Sequence, residues 1–155
     1  MEMPKPTTAH RQLEKLVGRW AGEERVHPSP FDPEGGMAIA RLENRLALDG
    51  FAVVQDYEQE RDGKINFRGH GVLRWDATQQ CCEMYWFDSM GMPPSIFRGN
   101  FDGEILTLAC KDQHGHSRAT FDLSKKTQYA FRMEVSPDGN QWFPFLEGSY
   151  TRENR

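Results

Sequence analysis

The sequence predicts an all-β fold: about ten antiparallel strands joined up-and-down into one closed barrel, with a short N-terminal helix across an end. Three observations predict it. Turn signals such as Asp49-Gly50, Asp62-Gly63, Asp102-Gly103 and Asp138-Gly139 recur roughly every eight to twelve residues. The stretches between them alternate in polarity, and 155 residues suffice for one closed sheet but not for two sandwiches. Closure also removes the exposed edges that a long antiparallel sheet would otherwise present.

The helix is expected over about 7–17, capped by Thr7 or Thr8, with Leu13, Leu16 and Val17 on one face. Gly18 then lets the chain leave the helix in a conformation that a Cβ would disfavour, and Trp20 is the first large side chain of a strand. An indole there can plug the barrel's end, with its N–H donated to a nearby carbonyl or carboxylate. The first strand runs to about His27, where Pro28, Pro30 and Pro33 deny it further ladder bonds. Strands at about 37–46 and 51–60 flank Leu48-Asp49-Gly50, a hairpin signal.

The fourth, Ile65 to Trp75, sets Ile65, Phe67, Leu73 and Trp75 on one face and Asn66, Arg68, His70 and Arg74 on the other. Gly69 and Gly71 interrupt its apolar face, as strands do where a barrel turns a corner. Six further strands run from Gln80 to Thr151. The whole chain, 1–155, thus forms a single domain, with the barrel over about 19–152.

A formal net charge of −4 argues against nucleic acid or an anionic membrane surface as partner. The N-terminus, Met1-Glu2-Met3-Pro4-Lys5-Pro6, lacks an apolar leader, and the expected location is the cytoplasm. Cys81 and Cys82 are adjacent on one strand and diverge, and with Cys110 they form no CxxC. The three read as free, half-buried thiols.

Gly18-Arg19-Trp20 after a short helix resembles the Gly-x-Trp signature of the lipocalins and the wider calycin superfamily. In those proteins a last-strand arginine packs over the tryptophan, so the resemblance implies that role for Arg152, in Tyr150-Thr151-Arg152. Nearly the whole chain is also similar to a family of uncharacterised bacterial proteins, a domain of unknown function. The matching motifs are His10-x-x-Leu13-x-x-Leu16-x-Gly18-x-Trp20-x-Gly22-Glu23, Gly50-Phe51 with Gln55-x-Tyr57, Gly69-His70-Gly71 with Trp75-Asp76, Trp86-Phe87-Asp88-Ser89-Met90-Gly91 and Asp138-Gly139-x-x-Trp142. That resemblance implies a calycin-like barrel and supplies no activity.

A ten-strand barrel has interior room beyond its own side chains, so the leading expectation is a binding protein for a small, largely apolar ligand. If Trp20 points inward so does Glu24, an interior carboxylate that needs a partner, with Arg132 or His70 able to supply one. Glu24, Arg68, His70, Tyr85, Trp86, Met90 and Arg132 are the candidate ligand-binding residues. Met90 lies in Asp88-Ser89-Met90-Gly91-Met92-Pro93-Pro94, the most irregular loop and a candidate entrance. Gly18, Trp20 and Arg152 form the structural signature.

Two further readings stand beside it: a small enzyme using Glu24 or Asp88 with His70, and a homodimer built on the Met-rich loop. No catalytic motif is present. His114-Gly115-His116 offers two imidazoles without an evident third ligand, so no metal site is expected. The nitrobindins are calycin-like barrels that bind haem through one histidine. Here the last strands contain none, which argues against haem unless His70 stands in.

Overall fold

The computed structural model describes residues 1–153. Ten antiparallel strands close into one barrel in the order β1-β10-β9-β8-β7-β6-β5-β4-β3-β2. They are β1 (Gly18–Val26), β2 (Gly36–Ala47), β3 (Ala52–Arg61), β4 (Lys64–Asp76), β5 (Cys81–Asp88), β6 (Ser95–Asp102), β7 (Ile105–Asp112), β8 (Gly115–Asp122), β9 (Gln128–Ser136) and β10 (Phe143–Arg152). Each strand pairs with its sequence neighbours, and β1 with β10 closes the ring. The all-β, ten-strand expectation therefore holds. Among the described residues no helix is long and apolar enough to cross a membrane.

The N-terminal segment is shorter and tighter than expected. A single α-turn, α1 (Thr8–Arg11), passes into a 3₁₀ segment, Gln12–Leu16, closed by Val17 N–H donating to Glu14 O at 3.0 Å. The tightening has a local cause. It leaves the Leu16 carbonyl free to accept from Trp20 Nε1 and from Asn44 Nδ2, both at 2.9 Å. Leu13 and Leu16 are wholly buried beneath these bonds, so the segment stoppers one end of the barrel, its floor.

Gly18 leaves the segment at φ +142°, where a Cβ would collide with the Arg152 guanidinium. That guanidinium lies 4.3 Å over the Trp20 ring and donates to Val17 O at 2.7 Å. The Gly18, Trp20 and Arg152 signature is thus one assembly: a glycine that makes room, an indole that plugs, and a cation stacked on it.

Register fixes which side chains point inward. Trp20 faces Arg152 and Leu42 across its two ladders, Glu24 faces Gly148 and Ala38, and Leu42 faces Tyr57. Between β3 and β4 the register slips at Gln59/Glu60, so Tyr57 faces Gly69 and Gln59 faces Phe67. Phe67, Leu73 and Trp75 accordingly share the inner face. Ile65, on the far side of the slip, pairs with Glu60 instead. β4 runs unbroken through Gly69 and Gly71, and these two glycines serve a packing purpose described below. The expected hairpin at Leu48-Asp49-Gly50 is a 3₁₀ turn whose three residues all have positive φ.

Candidate functional site

Inward side chains differ between the two halves of the barrel. Towards the floor, Trp20, Leu42, Val53, Leu73, Leu106, Phe121, Tyr129 and Tyr150 are buried, with Trp20, Tyr129 and Tyr150 in successive edge-to-face contacts at 4.8 and 5.0 Å. Towards the other end, inward-facing Tyr57, Phe67, Trp86, Cys110, Ser117, Phe131, Met133 and Leu146 keep partial access to solvent. The barrel is therefore plugged at the floor and less completely packed towards the mouth. The rim of that mouth is formed by the β1–β2, β3–β4, β5–β6, β7–β8 and β9–β10 connections.

Glu24 sits where the two halves meet and is fully buried. Its expected partners were Arg132 or His70, and the structure supplies neither. Instead Tyr57 OH donates to Oε1 and Tyr150 OH to Oε2, each at 2.5 Å, and Gln59 Nε2 donates to Oε1 at 2.9 Å. Asn66 Nδ2 in turn holds Gln59 Oε1 at 3.2 Å. Three donors without a cation satisfy the carboxyl.

Burial first, and the neighbouring Glu24 carboxyl second, push the Tyr57 and Tyr150 hydroxyls far above their ordinary range. Tyr129 is raised too, mainly by burial. Its hydroxyl and Asn44 Oδ1 lack a well-formed hydrogen bond, although Asn44 lies near enough to offset part of that rise.

A stability consequence follows with a definite sign. Phenols raised in the folded state keep their protons while those of the unfolded chain ionise above about pH 10. Their contribution is complete below that pH and is lost as pH climbs towards the folded values. Alkaline unfolding beginning above about pH 10, with tyrosinate absorbance rising together with loss of the sheet signal, is the expected result. Gradual tyrosine ionisation with the sheet intact would contradict it.

At the mouth, Trp86 projects inward from β5 and lies flat on β4. A Cβ at Gly69 would collide with its benzo ring, and one at Gly71 would stand 3.4 Å from Cε3. The two glycines are thus a bed for the indole. Trp86 Nε1 donates to Asp88 Oδ2 at 2.9 Å, and Asp88 Oδ1 accepts from Met90 N–H at 3.0 Å. Tyr57 meets both Trp86 and Phe67 edge-on, at 6.1 and 6.0 Å.

The remaining candidates do not join this set. Arg68, His70, Tyr85 and Arg132 alternate outward. Arg68 lies near Glu58, and His70 Nδ1 is 2.7 Å from Asp56 Oδ1. Asp56 is held below the usual carboxylate range, chiefly by that histidine and also by Arg45. Tyr85 OH approaches Glu83, a buried outer-wall carboxylate clamped by Arg74 and Arg98, and Arg132 approaches Glu134. Met90 is exposed at the rim.

Glu24 and His70 occupy opposite sides of the wall, so the acid–base pair expected of them has no common space, and His70 has no access to the interior as a haem ligand. His114 lies in the exposed β7–β8 turn, and His116 packs on Trp142. Among the described residues no three His, Cys, Asp or Glu side chains converge. Two outer-wall concavities also occur. One, of about 670 Å³, is lined by Arg19, Arg41, Asp56, Arg68, His70 and Phe87 among others. The second, of about 400 Å³, is lined by Thr120, Arg132 and Glu147 among others. Polar contacts crowd the first: the ion pairs Arg19–Glu43 and Arg41–Glu60, and the His70–Asp56 contact.

Sequence reasoning missed Tyr57, Gln59 and Tyr150. The signal for Tyr150 was present, since an Arg152 that covers Trp20 places the residue two before it on the same face.

A family profile described as "Protein of unknown function (DUF1579)" matches residues 5–152. The chain belongs to the DUF1579 family. No curated protein matches it by sequence. Among solved structures, this DUF1579 protein is similar to Rv2717c from M. tuberculosis, with a TM-score of 0.72 at 15% identity, covering 96% of this chain and 99% of that one. It is also similar to the S-type phycobiliprotein lyase CPES from Guillardia theta, with a TM-score of 0.61 at 9% identity, covering 97% and 99%. At such identities the likeness is one of fold, and the DUF1579 barrel shares its architecture with both.

Proposed function

We propose that this protein binds a small, largely apolar molecule in the mouth half of its barrel, between Trp86, Tyr57 and the apolar side chains opposite. One observation carries the reading: Trp20, Tyr129 and Tyr150 close the floor in full burial, whereas the large inward side chains Tyr57, Phe67, Trp86, Phe131, Met133 and Leu146 of the other half stay within reach of solvent. An interior apolar surface left wet is costly unless something covers it. Ligand sites combine such a lining with a few fixed polar groups, and the Glu24–Tyr57–Gln59 cluster and Asp88 provide them. The phycobiliprotein lyase among the fold's neighbours is consistent with this use of a barrel. Three free thiols, Cys81, Cys82 and Cys110, suit a reducing compartment, and the cytoplasm is the location proposed.

Titration with the fluorescent, uncharged probe N-phenylnaphthylamine tests the reading. The expected result is saturable binding that weakens at least about tenfold (about 1.4 kcal/mol) in Met133→Trp, which fills the mouth, with the sheet signal unchanged. Wild-type protein that leaves the probe's emission unaltered would refute it.

A further inference from the structure

Resting on that reading, we infer that the mouth selects a flat, conjugated ring system that is neutral or cationic, stacked on the free face of Trp86, and that it rejects anionic ligands.

The shape preference comes from how the indole is mounted. An inward tryptophan on a strand ordinarily stands away from the wall and fills the lumen. Trp86 cannot stand away, because Asp88 ties its Nε1 at 2.9 Å, and it need not, because Gly69 and Gly71 leave its benzo ring nothing to climb over. One face is covered by β4 backbone. The indole nevertheless retains partial solvent access, and what remains uncovered points across the mouth. A flat ring offered broadside and locked in place loses little freedom on binding, and the groups that exploit it are other flat π-systems. A flexible chain would gain area from it but no stacking.

The charge preference comes from the carboxyls. By register the inward positions of the mouth half carry the carboxyls Glu24, Asp88 and Asp112, and their cations are confined to the last pair before the β3–β4 turn, Arg61 and the exposed Lys64. Glu24 and Asp88 are engaged as acceptors only: Glu24 from Tyr57, Gln59 and Tyr150, Asp88 from Trp86 and the Met90 amide. The rim cation Arg61 is already bound to Asp32 and to the Gly35 carbonyl. A carboxylate or sulfonate entering here would meet acceptor oxygens in a partly dry space, with Lys64 the nearest cation not already engaged and that one out at the exposed rim, whereas a cationic ring would gain from both the carboxyls and the indole face.

Three probes on the intact chain separate the possibilities: proflavine, a flat tricyclic cation; anilinonaphthalene sulfonate, an aromatic anion; and uncharged N-phenylnaphthylamine. Proflavine is expected to bind at least tenfold more tightly than the sulfonate and to quench tryptophan emission. Trp86→Leu should weaken proflavine about tenfold, and Trp86→Phe, which keeps a flat ring, less than threefold. Asp88→Asn should narrow the gap between cation and anion. Proflavine binding no better than the sulfonate, or a Trp86→Leu variant with unchanged proflavine affinity, overturns the inference, while saturable N-phenylnaphthylamine binding in the same experiment leaves the mouth reading intact. Failure of all three probes on wild-type protein overturns both.

Discussion

Replacing Glu24 by alanine is expected to cost about 3–5 kcal/mol, since it empties a buried volume and strands the Tyr57 and Tyr150 hydroxyls, at about 1–3 kcal/mol for each orphaned group. For a domain of this length that corresponds to a fall in Tm of about 10 °C or more. The asymmetry of buried hydrogen bonding supplies the internal control. Removing the carboxyl together with both phenolic oxygens, as in Glu24→Leu with Tyr57→Phe and Tyr150→Phe, should recover much of the loss, because both hydroxyl donors are then gone and the Gln59 amide alone loses its acceptors. Thermal denaturation followed by circular dichroism reads both. An alanine variant as stable as wild type would mean that the two 2.5 Å contacts contribute nothing, which is incompatible with the cluster described.

The second large effect belongs to Trp20. Its truncation to alanine is expected to cost about 3–5 kcal/mol, the range for buried large aromatics. The loss reaches beyond its own area: the Leu16 carbonyl forfeits one of two donors, Arg152 loses the ring beneath it, and Tyr129 loses its edge-on neighbour. Arg152→Ala should cost clearly less, because Trp20 keeps its hydrogen bond and its packing, and a stacked, part-exposed cation is worth about 1 kcal/mol. Denaturant midpoints at unchanged m-value would measure both. If the arginine variant proved the weaker of the two, the plug would owe its strength to the cation and not to the indole.

Most of the architecture was legible because its signals are local. Turn dipeptides mark strand ends, alternation marks strands, and the Gly18-x-Trp20 step with Arg152 fixes one inward position on each side of the closing seam. The site was harder to read for one reason that can be traced to a single residue. Arg61 and Lys64 pair across the two-residue turn Asp62-Gly63, and an unbroken ladder continued from there would set Arg68 opposite Tyr57, with Arg68 and His70 inside.

The slip at Gln59/Glu60 inserts one extra position near Asn66 and reverses the strand, so Phe67, Gly69 and Gly71 turn inward. Alternation names two faces without saying which is wet, and an irregularity of one residue exchanges them. Asn66 carries no signal that announces a bulge. The consequence reaches the chemistry: the imidazole goes to the outer wall, and the glycines become the support for Trp86.

The β1–β10 seam imposes an order of events on the nascent polypeptide. Trp20 pairs with Arg152 and Val26 with Leu146, partners that cannot meet until the ribosome has released β10. Until then both outer ribbons expose unpaired amides and carbonyls, and the indole waits without its stacked guanidinium. Closure of the ring therefore waits on the pairing of the two strands farthest apart in sequence, the kind of non-local contact that slows folding.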